Sequence, residues 1–130
     1  MAWWDRYPDR FLAELEKMET YTNAQLRIAD GNRLPGNFGS EAHLTWIEMI
    51  TSNSGCKYVI TIICKNDHPY SAPAAWILEP DVGKHHHMFE NGQLCLHDYH
   101  LTPDKTWVLN IRNWCCEWIQ CYETGNWLEF

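Results

Sequence analysis

The stretch His85-His86-His87-Met88-Phe89-Glu90-Asn91-Gly92-Gln93-Leu94-Cys95-Leu96 sets a cysteine just after a glycine-containing turn, among histidines. Cysteine is the best side-chain nucleophile near neutral pH, and histidine is the side chain most able to move protons there. Covalent chemistry is therefore sought first at Cys95. Taken alone, the run of three histidines reads as a solvated loop or an adventitious metal site.

The stretch lies inside a longer one, Pro80 to Lys105, that shows no clear periodicity. Loops of that length in compact domains are usually functional or disordered. Downstream, Val108, Ile111, Cys115, Trp118, Ile119 and Tyr122 recur at helical spacing, which predicts a helix over about 106–122 that stops near Gly125. Upstream, a short strand is expected at about 74–78. Before it, the segment from His68 to Pro73 breaks the sheet pattern, because proline supplies no ladder donor.

Residues 57–64, rich in Val, Ile and Tyr, read as a central strand. Ser52-Asn53-Ser54-Gly55 is turn chemistry, and 42–51 and 24–29 alternate as strands do. Near the start, Phe11, Leu12, Leu15 and Met18 recur at helical spacing behind Pro8, predicting an amphipathic helix over about 8–20. The order is helix, four strands, long loop, helix. Short turns between strands imply an antiparallel meander with helices on one face, an α+β architecture.

A chain of 130 residues without repeats or linkers is expected to form a single domain, 1–130, able to bury a sizeable core. Eight tryptophans supply much of that core. A formal charge of −7, with no basic run, argues against nucleic acid or an anionic membrane as partner. The start lacks the pattern of a secretory signal, and the longest apolar run, Tyr58 to Cys64, is too short to span a bilayer. A cytoplasmic location is expected. The six cysteines are then expected to be reduced, and no Cys-x-x-Cys pair suggests structural zinc.

The motifs resemble those of the ubiquitin-conjugating enzyme family. That family carries Tyr-Pro-Phe-x-Pro-Pro after its third strand, and His68-Pro69-Tyr70-Ser71-Ala72-Pro73 stands here, keeping the first and last prolines and an aromatic between them. The family then carries His-Pro-Asn followed by a pattern ending in Gly, any residue, aliphatic, Cys, Leu. His85 falls on the His and His87 on the Asn; Met88, Phe89, Gly92, Leu94, Cys95 and Leu96 take the other defined positions without a gap. A tryptophan opens the next helix in the family, as Trp107 does here. The proline of His-Pro-Asn is replaced by His86, the loop after Cys95 is longer, and the family's last two helices are not in this sequence. These traits look like compact bacterial forms encoded in antiphage operons that signal through cyclic oligonucleotides.

The resemblance implies a thioester-forming acyl carrier with Cys95 as nucleophile and no cofactor. Its partner would be a protein ending in glycine, a cGAS-like nucleotidyltransferase in the narrower match. Whether a separate activating enzyme is needed stays open. His87, in the place of the asparagine linked to the oxyanion, and Asp98, three residues past Cys95, are the further catalytic candidates. His87, His97 and His100 are candidates by proximity to raise the thiolate fraction of Cys95. The resemblance gives His85, Asn91, Gly92, His97 and Trp107 the support of the active-site loop, and makes Pro69, Tyr70 and Pro73 architectural. Two other readings stand beside it: a non-catalytic binding module on the same fold, and a metal site built from His68, His85, His87, Cys95 and His97.

Overall fold

The computed structural model describes residues 1–97 and 100–127. A single helical turn, α1 (Trp3–Arg6), leads into α2 (Pro8–Tyr21). Four strands follow: β1 (Gln25–Asp30), β2 (Ala42–Thr51), β3 (Lys57–Ile63) and β4 (Ala74–Glu79). After a long irregular segment, α3 (Val108–Thr124) closes the order. The strands form one antiparallel sheet in the order β1-β2-β3-β4. This is the expected α+β meander of the ubiquitin-conjugating type.

Strand alternation explains the layering. Leu44, Trp46 and Ile50 of β2, with Tyr58, Ile60 and Ile62 of β3, point to one face and join the buried side chains of α2 and α3 in the main core. On the other face the loop after β1 lays Leu34 and Phe38 against Ile63, Ala74 and Trp76. Thr45 and Thr61, diagonal neighbours across β2 and β3, share a hydrogen bond of 2.6 Å.

Pro8 occupies the first turn of α2, where its missing N–H costs nothing. Two residues of this helix correct the sequence reading. Leu12, counted in the apolar stripe, faces solvent at 61% exposure, whereas Glu14, one of the charged residues between the apolar ones, is fully buried. The inward stripe is Phe11, Glu14, Leu15 and Met18, the i, i+3, i+4, i+7 set. The Glu14 carboxylate accepts the N–H of Val108 at 2.8 Å and lies 2.5 Å from His68 Nε2. It thereby satisfies an orphan donor at the start of α3 and ties α2 to the proline motif.

The proline motif is locked from α3's approach as well. Thr106 donates its hydroxyl to the carbonyl of Pro69 at 2.6 Å. Arg10 reaches the carbonyl of Pro103 at 2.9 Å and spreads over the Trp107 ring, 3.6 Å from its centroid. Pro69 and Pro73 are buried, whereas Tyr70 stands out in solvent, edge-on to Tyr7. Among the described residues no helix is long and apolar enough to cross a membrane.

Candidate active site on the Cys95 hairpin

The segment around Cys95 has no named strand, but it is a miniature hairpin. Met88 and Leu94 form an antiparallel bridge. The N–H of Phe89 donates to Gln93 O at 2.8 Å, and the N–H of Cys95 donates to His87 O at 3.0 Å. Residues 87 and 95, 88 and 94, and 89 and 93 therefore stand opposite one another. Side chains alternate across such a ladder, and directly opposed residues share a face. Leu94 is buried in the main core with Met88 packed beside it. Gln93 and Cys95, which flank Leu94, are thus turned to the other face, while His87 lies in the turn that the Met88 N–H closes on the His85 carbonyl. The order Leu94, Cys95, Leu96 plants one leucine, presents the thiol at half-burial, and brings Leu96 back against the core.

The turn has its own supports. Gly92 sits at φ +88°, a left-handed conformation natural to glycine. Asn91 accepts the N–H of Gln93 on its side-chain oxygen at 3.0 Å, closing an Asx turn. The backbone carbonyl of Asn91 accepts the indole N–H of Trp76 at 3.2 Å, which moors the turn to β4. Leu94 N–H also reaches β4, at the carbonyl of Ala75, 2.9 Å away.

The histidine run sits at the other end of the hairpin. His85 Nδ1 accepts the N–H of His87 at 3.1 Å, which needs a neutral ring carrying its proton on Nε2. Burial first, and then repulsion from His86 and His87, lowers the His85 pKa and favours that neutral form. The His85 ring leans on Trp118, Tyr122 and Trp127. The His87 carbonyl takes a second donor, the indole N–H of Trp118 at 3.0 Å. One carbonyl thus joins the Cys95 backbone to α3, through a tryptophan that is itself fully buried.

The remaining candidates fall elsewhere. His97 tilts against Trp114 with ring centroids 5.9 Å apart. A cavity of about 240 Å³ opens between the proline motif and the segment after Cys95, and Ser71, Pro73, Phe89, Leu96, His97 and His100 lie on its walls. Trp107 caps the start of α3, flanked by Arg10 and Lys17. Asp98 lies outside the described residues. His68, proposed with four other residues as a metal ligand, is instead paired with Glu14. Among the described residues no group of three or more His, Cys, Asp or Glu is placed to hold a metal ion. Of the other cysteines, burial pushes the thiols of Cys64 and Cys115 well up, as befits core residues.

Sequence reasoning passed over Trp76, Trp118 and Trp127 as simple core. A usable signal existed for the first two: a buried indole N–H needs an acceptor, and loop carbonyls are the available ones.

No curated protein and no solved structure matches the chain. The family described as type II CBASS E2 protein matches residues 29–129, from the end of β1 past α3, and so takes in the whole hairpin. With the ubiquitin-conjugating type of fold and the hairpin in place, the chain belongs to the type II CBASS E2 protein family, which carries a conjugation-related role in antiphage defence.

Proposed function

We propose that Cys95 accepts the C-terminal glycyl group of a partner protein as a thioester and passes it on. The observation that supports this reading best is the hairpin register, in which buried Leu94 holds the ladder, Cys95 is turned from the core at half-burial, and its N–H bonds the His87 carbonyl. In the proposed step the Cys95 thiolate attacks the carbonyl carbon of a glycine already activated as a thioester or acyl-phosphate. A C–S bond forms, and the activating thiolate or phosphate leaves with the electron pair. A lysine amine or another thiol then attacks that carbonyl, sheds its proton to a base, and Cys95 departs as thiolate.

The tetrahedral intermediates carry negative charge on oxygen, and His87 is the proposed side-chain donor to it. A free lysine has a pKa of ~10.4, so the acceptor needs help in losing its proton. Asp98 is the proposed carboxylate for that task. His85, Asn91, Gly92, His97 and Trp107 are proposed to hold the loop, and Pro69, Tyr70 and Pro73 to shape its surroundings. The proposed acyl donor is a cGAS-like nucleotidyltransferase ending in glycine, with an activating enzyme where the donor is not already charged, and the proposed setting is the cytoplasm.

The test is co-expression with the proteins encoded beside it, followed by non-reducing electrophoresis. The proposal predicts an adduct cleaved by thiol reductant and lost in Cys95→Ala. Full biological activity of Cys95→Ala would instead favour a non-catalytic module.

A further inference from the structure

The last described turn of the chain does something the acyl-transfer reading does not use. Gly125 ends α3 in the left-handed conformation, φ +74°, its N–H bonded to Cys121 O at 2.8 Å. That reversal folds residue 127 back over the helix it has just left. Trp127 meets Trp118 edge-on, with centroids 5.3 Å apart and planes at 72°. Trp118 in turn stacks on Tyr122 at 5.5 Å and 12°. The indole of Trp127 is therefore braced by Trp118, which Tyr122 supports in turn, and it packs against the main core.

Its upper face lies on the histidine run. Trp127 and His87 are stacked, with centroids 4.1 Å apart and an interplanar angle of 15°. His85 lies 4.8 Å from the same indole, and His86 is 4.3 Å from His87 on a tilted plane. The backbone of His87 is already fixed: its carbonyl takes the N–H groups of Cys95 and Trp118, and its own N–H goes to His85 Nδ1. What that backbone leaves to be set is the pair of side-chain torsions that aim the imidazole. A parallel contact with a rigid indole limits both.

We propose that Trp127 is a positioning residue for the candidate site: it aims the imidazole of His87, the residue whose carbonyl holds the Cys95 N–H. The inference rests on the acyl-transfer reading for its consequence, but its geometry is independent of it. A positioned donor contributes through alignment, and misplacement by about 1 Å can cost on the order of 10²-fold in rate. Trp127 acts only through His87, so its effect has to vanish when the imidazole is gone.

The experiment is a double-mutant cycle with Trp127→Ala, His87→Ala and the pair. Trp127→Phe is included to keep an aromatic face. Two rates are read: transfer of the acyl group from the charged partner to Cys95, and alkylation of Cys95 by iodoacetamide across pH, which needs no partner. The expected result is a fall of about tenfold or more in transfer for Trp127→Ala, with Trp127→Phe close to wild type. In the His87→Ala background the same change has no further effect. Alkylation by wild type and Trp127→Ala should follow different pH profiles, which converge once His87 is removed. Equal losses with and without His87, or wild-type transfer and alkylation in Trp127→Ala, would overturn the inference. If wild-type Cys95 accepts no acyl group, the acyl-transfer reading fails by itself, and the alkylation cycle still decides whether Trp127 acts through His87.

Discussion

Glu14 ties α2 to two distant parts of the fold. It is fully buried, and its two oxygens serve two separate elements, the first N–H of α3 and the ring of His68. Removing the acceptor leaves two buried donors unsatisfied, each at a cost of about 1–3 kcal/mol. Glu14→Ala is expected to lower unfolding free energy by about 3 kcal/mol, read as a shift in the urea midpoint at unchanged m-value. The sequence hid this role. Glu14 stands among Asp9, Arg10, Glu16 and Lys17, and nothing in a polar run tells which carboxylate has a buried partner 54 or 94 residues away. Cys95 was the opposite case, because it stands in a local motif, Gly92, Leu94, Cys95 and Leu96 at ungapped spacing behind His85, that marks it without any distant contact. His87 was half legible. Its position came from the ungapped spacing, but the pinning of its carbonyl by Trp118 is a contact across 31 residues that no local pattern announces.

Among the elements, those with sustained periodicity were readable and those built from one or two contacts were not. The helix expected over about 8–20 is α2, Pro8–Tyr21, and the four expected strands all form. The turn α1 escaped notice because four residues cannot display a helical period. The hairpin around Cys95 escaped for a similar reason, since one bridge and a turn leave no repeating signature. Its turn offers a clean test. A Cβ on residue 92 would meet Trp76 Cδ1 at 3.5 Å, an ordinary contact, so Gly92→Ala pays chiefly for its φ of +88°. That substitution is expected to cost about 1 kcal/mol and to change the rate of Cys95 alkylation, because the strain falls within the hairpin itself. Unchanged stability and unchanged alkylation would show that the turn does not hold the thiol.

At the scale of the whole molecule, the sheet and α3 are joined by two acidic clamps, and one of them sets a pH dependence. Glu48 grips Arg112 with bonds of 2.8 and 3.0 Å. Glu123 accepts from Ser52, Ser54 and Tyr58 at 2.8 to 2.9 Å, tying the β2–β3 turn to the end of α3. The bond from Tyr58 first, and then those from the serines, holds the Glu123 carboxyl below its ordinary pKa. A carboxylate with a depressed folded pKa contributes stability that is present above its unfolded value, about 4.3, and is lost as pH falls through the folded one. Burial and the same carboxylate raise the Tyr58 phenol, so its contribution is present below about 10 and fades as pH rises beyond it. Glu123→Gln is therefore expected to flatten the acid limb of the stability curve, measured by thermal melts between pH 3 and 7. An acid limb of wild-type slope in that variant would locate the dependence in other carboxylates.

If Cys95 becomes an acyl thioester, intact mass spectrometry of the chain after reaction with its charged partner will detect it. The species expected has the mass of both proteins less one water, maps to Cys95, is cleaved by thiol reductant, is absent in Cys95→Ala and is reductant-resistant as an ester in Cys95→Ser. An adduct mapped to any other residue, or a Cys95 that stays fully alkylatable after reaction with a demonstrably charged partner, would contradict it.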